Sequence, residues 1–365
     1  MTVAVVGGGA VGLAIAGSLA ERGATVTLYE RDRLGSGTTG RAAGICYDAF
    51  ADPVDAAVAG HAIDRYREWG LLTDCPYVWL ARDADDAAAI DGQVDRMQSH
   101  GLAVSRLAPT ELADRYPALD TEAVVTAGIA ADAGLLDPDA AVEFLAERAR
   151  AAGAAIRTGT EVSLAGPRTV ETPSGTDTVD AVVVAAGHAT APLVGAIGVP
   201  LALETYRAQA LRTDAVGATL PALYDATAEF YWRPQAESLL VGDGAHAATP
   251  EDWNPDADPS FVSGALERVA DATTLSPTAT RSWAGICTAT PDRDPLVGAV
   301  AEGCSVATGW HGHGLMWAPA VGDHVASVVL GTASPLPEQF ATRADPTRFD
   351  GDEAFDPLGD PTRDW

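Results

Sequence analysis

A chain of 365 residues with 51 acidic against 23 basic side chains carries a formal charge of -28, which repels nucleic acid and anionic membrane surfaces and excludes a polyanion-binding role. All 23 basic residues are arginine, so chemistry that needs a lysine, such as a Schiff base or a phosphate-loop lysine, is excluded too. The length suits two domains or one large α/β unit with an ample core.

Extreme acidity without lysine points to a salt-rich cytoplasm, where screening relieves repulsion among carboxylates. Cys46, Cys75, Cys287 and Cys304 form no C-x-x-C pair, so reduced thiols in a cytoplasmic protein are expected rather than a disulfide framework or a zinc site. The apolar opening "MTVAVVGGGAVGLAIAGSLA" has no charged leader region and too much glycine for a spanning helix. It reads instead as a βαβ unit: "TVAVVG" is a strand buried on both faces, "GGGAVGLAIAGSLAERG" a helix ending at Gly23, and "ATVTLYE" a second strand closing on Glu30.

Within that unit Gly7, Gly9 and Gly12 have the dinucleotide-binding spacing, and Glu30 follows Gly12 by 18 residues. Gly7 permits a tight turn, Gly9 lets the main chain approach a pyrophosphate, and Gly12 lets helix and strand pack closely. Glu30 would accept hydrogen bonds from ribose hydroxyls and disfavours a 2'-phosphate. The next stretch, "GSGTTGRAAGI", sets Ser36, Thr38 and Thr39 as donors around Arg41 in a loop fit to pass close to a phosphorylated or flat ligand.

Further along, "DPDAAVEFLAERARAAGA" reads as a helix capped near Asp137 and ending at Gly153, followed by the strands "AIRTGTEVSLAG", "TVETPSG" and "DTVDAVVVAAG". From about Leu201 the texture turns to alternating strands, including "RAQALRTD", "EFYWRP" and "SLLVGDG", expected to form an antiparallel sheet. The segment from Cys304 to Gly331 is again strand, glycine loop and helix, with the helix expected to start near Pro319. Its loop, "TGWHGHGLMWAP", would present a helix N-terminus to a ligand that accumulates negative charge. His311 and His313 have no nearby Cys or carboxylate partner and do not make a metal site; His313 is expected to fix the loop by a hydrogen bond. The Pro- and Asp-rich tail after Thr332 reads as an irregular, partly mobile strap.

Taken in order, the N-terminal glycine motif with Glu30, "GSGTTGRAAG", "VVVAAG", "YWRP", "WAGICTATPD" and "TGWHGHGLMWAPAVGD" resemble the FAD-dependent oxidoreductases of the D-amino acid dehydrogenase, glycine oxidase and monomeric sarcosine oxidase family. The resemblance spans nearly the whole chain. It implies an α/β fold with an α+β second domain: a discontinuous Rossmann-like FAD-binding domain of the glutathione-reductase type (residues 1–80, 138–200 and 285–345), an antiparallel-sheet substrate domain (81–137 and 201–284) and a tail (346–365). FAD would be held by Gly7, Gly9, Ala10, Val11 and Gly12, by Glu30 and Arg31, and by Ser36, Thr38, Thr39, Arg41, Ala43 and Gly44. Val162, Ala186 and Gly187 would complete one wall, and Gly309, Gly312, His313, Gly314, Leu315 and Met316 the other.

By the same resemblance, a substrate carbon loses a hydride to the flavin while its amine is neutral, and the imine hydrolyses. The substrate residues implied are Tyr231, Arg233, Arg207, Cys287 and Tyr47, with Arg207 or Arg233 gripping a carboxylate. Two departures stand out. Related amino-acid dehydrogenases place an arginine at the position of Cys287, and sarcosine oxidases carry an oxygen-activating lysine where this chain has Leu240. A dehydrogenase acting on a small amine or amino acid and passing electrons to a quinone or other carrier is therefore expected. Oxidation of a C–OH substrate, as in relatives acting on 2-hydroxy acids or glycerol phosphate, is the alternative, as is a flavin subunit working in a larger complex or at a membrane periphery. Cys287 keeps three readings: a covalent flavin anchor, a small substrate-facing residue, or packing.

Overall fold

The computed structural model describes residues 1–249 and 253–358. Its first sheet has six strands in the order Leu296–Ala301, Cys304–Thr308, Ala181–Val184, Thr2–Val6, Thr25–Tyr29 and Ala155–Arg157. All neighbours run parallel except the outermost, Leu296–Ala301. The strand Thr2–Val6 shows why an uninterrupted apolar run suits its place. Val3 and Val5 pack into the helical layer, while Ala4 and Val6 face the opposite layer.

The helical layer brings both ends of the chain together. Helix Ala10–Glu21 lies against helix Gly314–Leu330, and the Ser18 hydroxyl donates to Asp323 at 2.8 Å. Gly322 allows the approach, since a Cβ there would meet the Ala14 backbone at 2.8 Å. Helix Pro138–Ala151 begins at Asp137, whose carboxylate accepts the Ala140 N–H at 3.0 Å as the sequence anticipates.

The C-terminal helix starts at Gly314, earlier than its proline implies, so Pro319 lies inside it. A proline there offers no N–H to the Leu315 carbonyl. The buried Tyr66 hydroxyl, from helix Pro53–Glu68, donates to that carbonyl instead, at 2.7 Å. We expect Tyr66→Phe to cost about 1–3 kcal/mol, because it leaves a buried acceptor unsatisfied. Thermal denaturation of the two proteins checks this.

The second sheet has eight strands, in the order Ala279–Ala289, Glu204–Thr213, Ser238–Ala247, Phe230–Gln235, Ala222–Asp225, Tyr77–Ala81, Thr126–Ala130 and Val104–Leu107. It is mixed rather than purely antiparallel, because Ala222–Asp225 runs parallel to Tyr77–Ala81. On one face Phe230, Trp232, Leu211 and Val241 pack with Phe261, Ala265 and Val269 of helix Pro259–Ala272. The other face, carrying Tyr231 and Arg233, turns away from that helix.

The tail is more ordered than the sequence implies. It forms a short helix, Glu338–Arg343, and a turn, Pro346–Arg348. Arg343 pairs with Asp294 and with Asp52 at 2.7 Å, and Arg348 with Asp292 at 2.8 Å, so carboxylates in the body of the fold hold it down. The part of the expected strap beyond residue 358 lies outside the described residues.

Candidate active site

A cleft runs between the first sheet and the edge of the second. The glycine motif forms its floor. Gly7 adopts φ +113° and a Cβ there would lie 2.3 Å from the Ala185 carbonyl oxygen; one on Gly12 would lie 2.0 Å from that of Gly7. Helix Ala10–Glu21 starts without a side-chain cap or an acidic residue in its first turn. Apart from the Ala10 N–H, which Thr39 accepts, its first N–H groups and its dipole are therefore free for an anion beside Gly9, Ala10 and Val11, which line the cleft. Glu30 is held in place by backbone N–H groups of Gly8 (2.7 Å) and Asp32 (2.9 Å), which leaves lone pairs on both oxygens for ribose hydroxyls.

Ser36, Gly37, Thr38, Thr39 and Ala42 form one rim, Val162, Ala186 and Gly187 another, with Arg31 beside Glu30. The Thr39 hydroxyl accepts the Ala10 N–H at 3.1 Å, and Thr38 donates to the Ile286 carbonyl, tying the rim to both sheets. The far end is closed by Trp310, Gly312, Gly314 and Leu315, at the second uncapped helix start. Two helix N-termini thus converge on one elongated cleft, an arrangement that fits a pyrophosphate at one and a ring gaining negative charge at the other.

Several residues expected to hold the cofactor support the cleft from behind. Gly12 packs on Gly7. Gly44 adopts φ +70° where a Cβ would lie 2.3 Å from the Leu136 carbonyl oxygen, and Gly309 meets Thr290 in the same way. Ala43 and Met316 are not in the lining; the Met316 sulfur instead receives the Tyr47 N–H at 3.4 Å. Arg41 grips the Ser36 and Gly37 carbonyls from outside. The His313 ring hydrogen-bonds the Trp310 main chain within the loop, stacks on Trp317 (5.7 Å) and meets Phe50 edge-on. His311 adds a second tie, its Nε2 accepting the Thr290 N–H at 2.9 Å.

Substrate candidates separate by sheet face. Tyr206 pairs with Cys287 across the edge strands, Tyr231 with Gly242 and with Tyr224. Tyr206 approaches the cleft loop, 3.7 Å from where a Cβ of Gly312 would stand, and hydrogen-bonds the Cys287 thiol. The Tyr231 ring lies flat over Gly242, whose Cβ would fall 2.3 Å from its hydroxyl. Arg233 follows two residues later on the same face. Tyr47 stacks on Tyr77 (4.8 Å) and Phe50 (5.1 Å), extending the aromatic wall to the C-terminal helix.

Arg207 is not brought to this face. It points the other way and is fully engaged, with Nε on the Asn254 carbonyl (2.8 Å) and Nη1 on Asp258 (2.8 Å), the cap position of helix Pro259–Ala272. Tyr206, one residue earlier, takes the place the sequence assigned to it. The available signal was the small phase Tyr206-x-Ala208-x-Ala210, which leaves room above the strand for a flat ligand.

Arg233 has the opposite condition. It is only 5% exposed, its Nε has no partner, and Nη1 makes a single long contact, 3.4 Å to the Pro234 carbonyl. Burial lowers its guanidinium pKa from the ordinary value. The Asp137 carboxylate acts against that lowering from beyond ion-pair distance, whereas the phenols and the thiol on this face are held neutral at pH 7. Burial pushes Tyr231 up to about 12 and Cys287 up to about 11, and raises Tyr47 and Tyr206 as well.

Comparison with known proteins agrees with this architecture. A glycine oxidase from Geobacillus kaustophilus (strain HTA426) is 28% identical over 351 residues, covering 90% of this chain and 92% of that protein. A glycine oxidase from Bacillus licheniformis is 25% identical over 356 residues, with 90% and 92% covered. The crystal structure of L-proline dehydrogenase from P. horikoshii superposes with a TM-score of 0.86 at 26% identity, over 96% of this chain and 97% of that one. The family model described as DAO, FAD dependent oxidoreductase, matches residues 2–328, and the chain belongs to that family.

Proposed function

We propose that the protein is an FAD-dependent dehydrogenase that oxidises the C–N bond of a small amino acid whose carboxylate pairs with Arg233. The observation that carries this reading is the buried Arg233 guanidinium, without an ion pair among the described residues, on the sheet face that also carries Tyr231 and Cys287. A buried cation with no ion-pair partner at contact distance is costly, Asp137 acting on it only from farther away, and a substrate carboxylate would offset that cost by a charge-assisted pair. It would do so in place of the arginine that relatives carry where Cys287 stands.

Bound FAD would accept a hydride from the carbon that bears the amine. The chain's own residues prepare the substrate for that loss. Arg233 fixes the carboxylate, while the Tyr231 and Tyr206 hydroxyls and the flat aromatic wall limit the rotation of what is attached to it. The positive charge of Arg233 and a neutral lining disfavour an ammonium group, so the amine is bound in its uncharged form, as hydride loss requires. With no lysine in the chain, the reduced enzyme would pass electrons to a carrier, with slow peroxide formation. Four free cysteines support a cytoplasmic setting.

The test is anaerobic turnover with a dye acceptor on matched amino acids, their decarboxylated amines and the 2-hydroxy acids of the same carbon skeleton. Amino acids are expected to be turned over at least about 100-fold better than the amines, the worth of a buried charge pair. Preference for the hydroxy acid would transfer the site to C–OH oxidation, and equal use of the amines would remove the role of Arg233.

We propose further that the flavin is held without a covalent bond. A thiol pushed up to about 11 and hydrogen-bonded by Tyr206 is almost wholly protonated at neutral pH and a poor nucleophile. Acid precipitation is expected to leave the yellow colour in the supernatant; a yellow pellet would make Cys287 the anchor.

A further inference from the structure

Behind the cofactor rim lies a patch whose charge opposes that of the rest of the molecule. Arg33 and Arg281 are exposed, and neither has an ion pair among the described residues, in a chain where acidic side chains number 51 against 23 basic. Both lie close enough to Arg41 to lower its guanidinium pKa, after the larger effect of its own burial. Arg41 sits over the Trp253 ring at 5.7 Å and Arg281 over Trp283 at 5.1 Å, while the Trp283 indole donates to the Arg41 carbonyl at 3.2 Å. Three cations and two half-buried indoles therefore form one surface at the edge strand Ala279–Ala289.

That surface communicates with the cleft through short paths of hydrogen bonds and main chain. Arg41 holds the carbonyls of Ser36 and Gly37, both in the cleft lining. Trp283 stands four residues before Cys287 on the same strand, about 13 Å along an extended chain. Clustered like charges are unfavourable in isolation, and an anionic partner relieves them. A lipid surface fits poorly, because the large exposed apolar side chains among the described residues are Met1, Val125 and Val328, none of them in the patch. Arginine and tryptophan in one cluster are the residue types that dominate protein–protein hot spots.

We propose that Arg33, Arg41, Arg281, Trp253 and Trp283 form the docking surface for an acidic one-electron carrier protein. Each amine-to-imine oxidation releases two electrons and two protons; two carriers in succession each take one electron, and the protons pass to water. This rests on the reading that a carrier, not oxygen, is the acceptor. It adds the acceptor's chemistry and place of contact.

The test compares the flavin-loaded enzyme with its Arg33→Glu/Arg281→Glu variant, two positions outside the cleft lining. Flavin reduced anaerobically with dithionite is mixed with a purified acidic blue-copper protein or with the basic haem protein cytochrome c. Reduction of the copper protein is expected to slow at least about tenfold in the variant, and reduction of cytochrome c to accelerate. Calorimetric affinity of the oxidised enzyme for the copper protein should fall by a similar factor, while turnover with a neutral dye stays unchanged.

Equal rates and affinities in the two proteins, no reduction of the copper protein by wild type, or a wild-type preference for cytochrome c would each overturn the proposal. So would binding to phosphatidylserine vesicles that the variant loses, since it would give the patch to lipid. Chemical reduction bypasses the substrate, so failure of the amino-acid reading leaves this test intact. If no flavin were retained, that reading would fall, and the calorimetric comparison would still report on the patch.

Discussion

Arg233→Met is expected to lower kcat/KM for the amino-acid substrate by about 100- to 1000-fold, through loss of a two-pronged charged pair worth about 3–4 kcal/mol. The same substitution is expected to raise the melting temperature of the substrate-free protein. Arg233 is 5% exposed with an unpartnered Nε, and an unbranched, flexible thioether of similar length removes a buried charge that Asp137 offsets only from beyond ion-pair distance. The two effects together distinguish a binding role from a structural one, which would lower stability and activity alike. Arg233→Lys should restore only part of the affinity, because an ammonium cannot present parallel donors to a carboxylate. Unchanged kcat/KM in Arg233→Met would mean that the carboxylate is held elsewhere.

Gly12→Ala is expected to abolish flavin retention. The added Cβ would stand 2.0 Å from the Gly7 carbonyl oxygen, a backbone atom whose own residue is fixed at φ +113°. Relief requires the helix Ala10–Glu21 to move away from the strand Thr2–Val6, which takes its uncapped N-terminus out of line with the cleft. Overpacking of about 3 kcal/mol corresponds to about 100-fold in FAD affinity if it is expressed there. Flavin absorbance of the purified protein and titration of the apoprotein measure it. Gly195→Ala, where an added Cβ meets nothing within 4 Å, is the control and should keep its flavin.

The cofactor half of the site was legible because its determinants are local. Gly7, Gly9, Gly12 and Glu30 lie within one βαβ unit, and the short-range sterics that require them can be read from spacing alone. The substrate half depends on strand faces. Alternation separates Tyr206 from Arg207, but which of the two faces stays uncovered is decided by helix Pro259–Ala272 packing on one side and by Asp258 claiming Arg207. The parallel pairing of Ala222–Asp225 with Tyr77–Ala81 joins segments far apart in sequence, and no local pattern encodes it. Pro319 misled for a related reason, since its tolerance within a helix comes from Tyr66, 249 residues before Leu315.

That pairing of distant segments has a consequence for how the protein is made. The strand Cys304–Thr308 pairs directly with Ala181–Val184, and Asp323 receives Ser18 across 305 positions. During synthesis the N-terminal βαβ unit emerges early, with an apolar helix whose principal neighbour is among the last segments translated. The nascent chain must therefore shelter that helix until the ribosome has nearly finished, and a stalled chain ending before Cys304 should hold no flavin. Cofactor capture is timed to the end of translation by the topology itself.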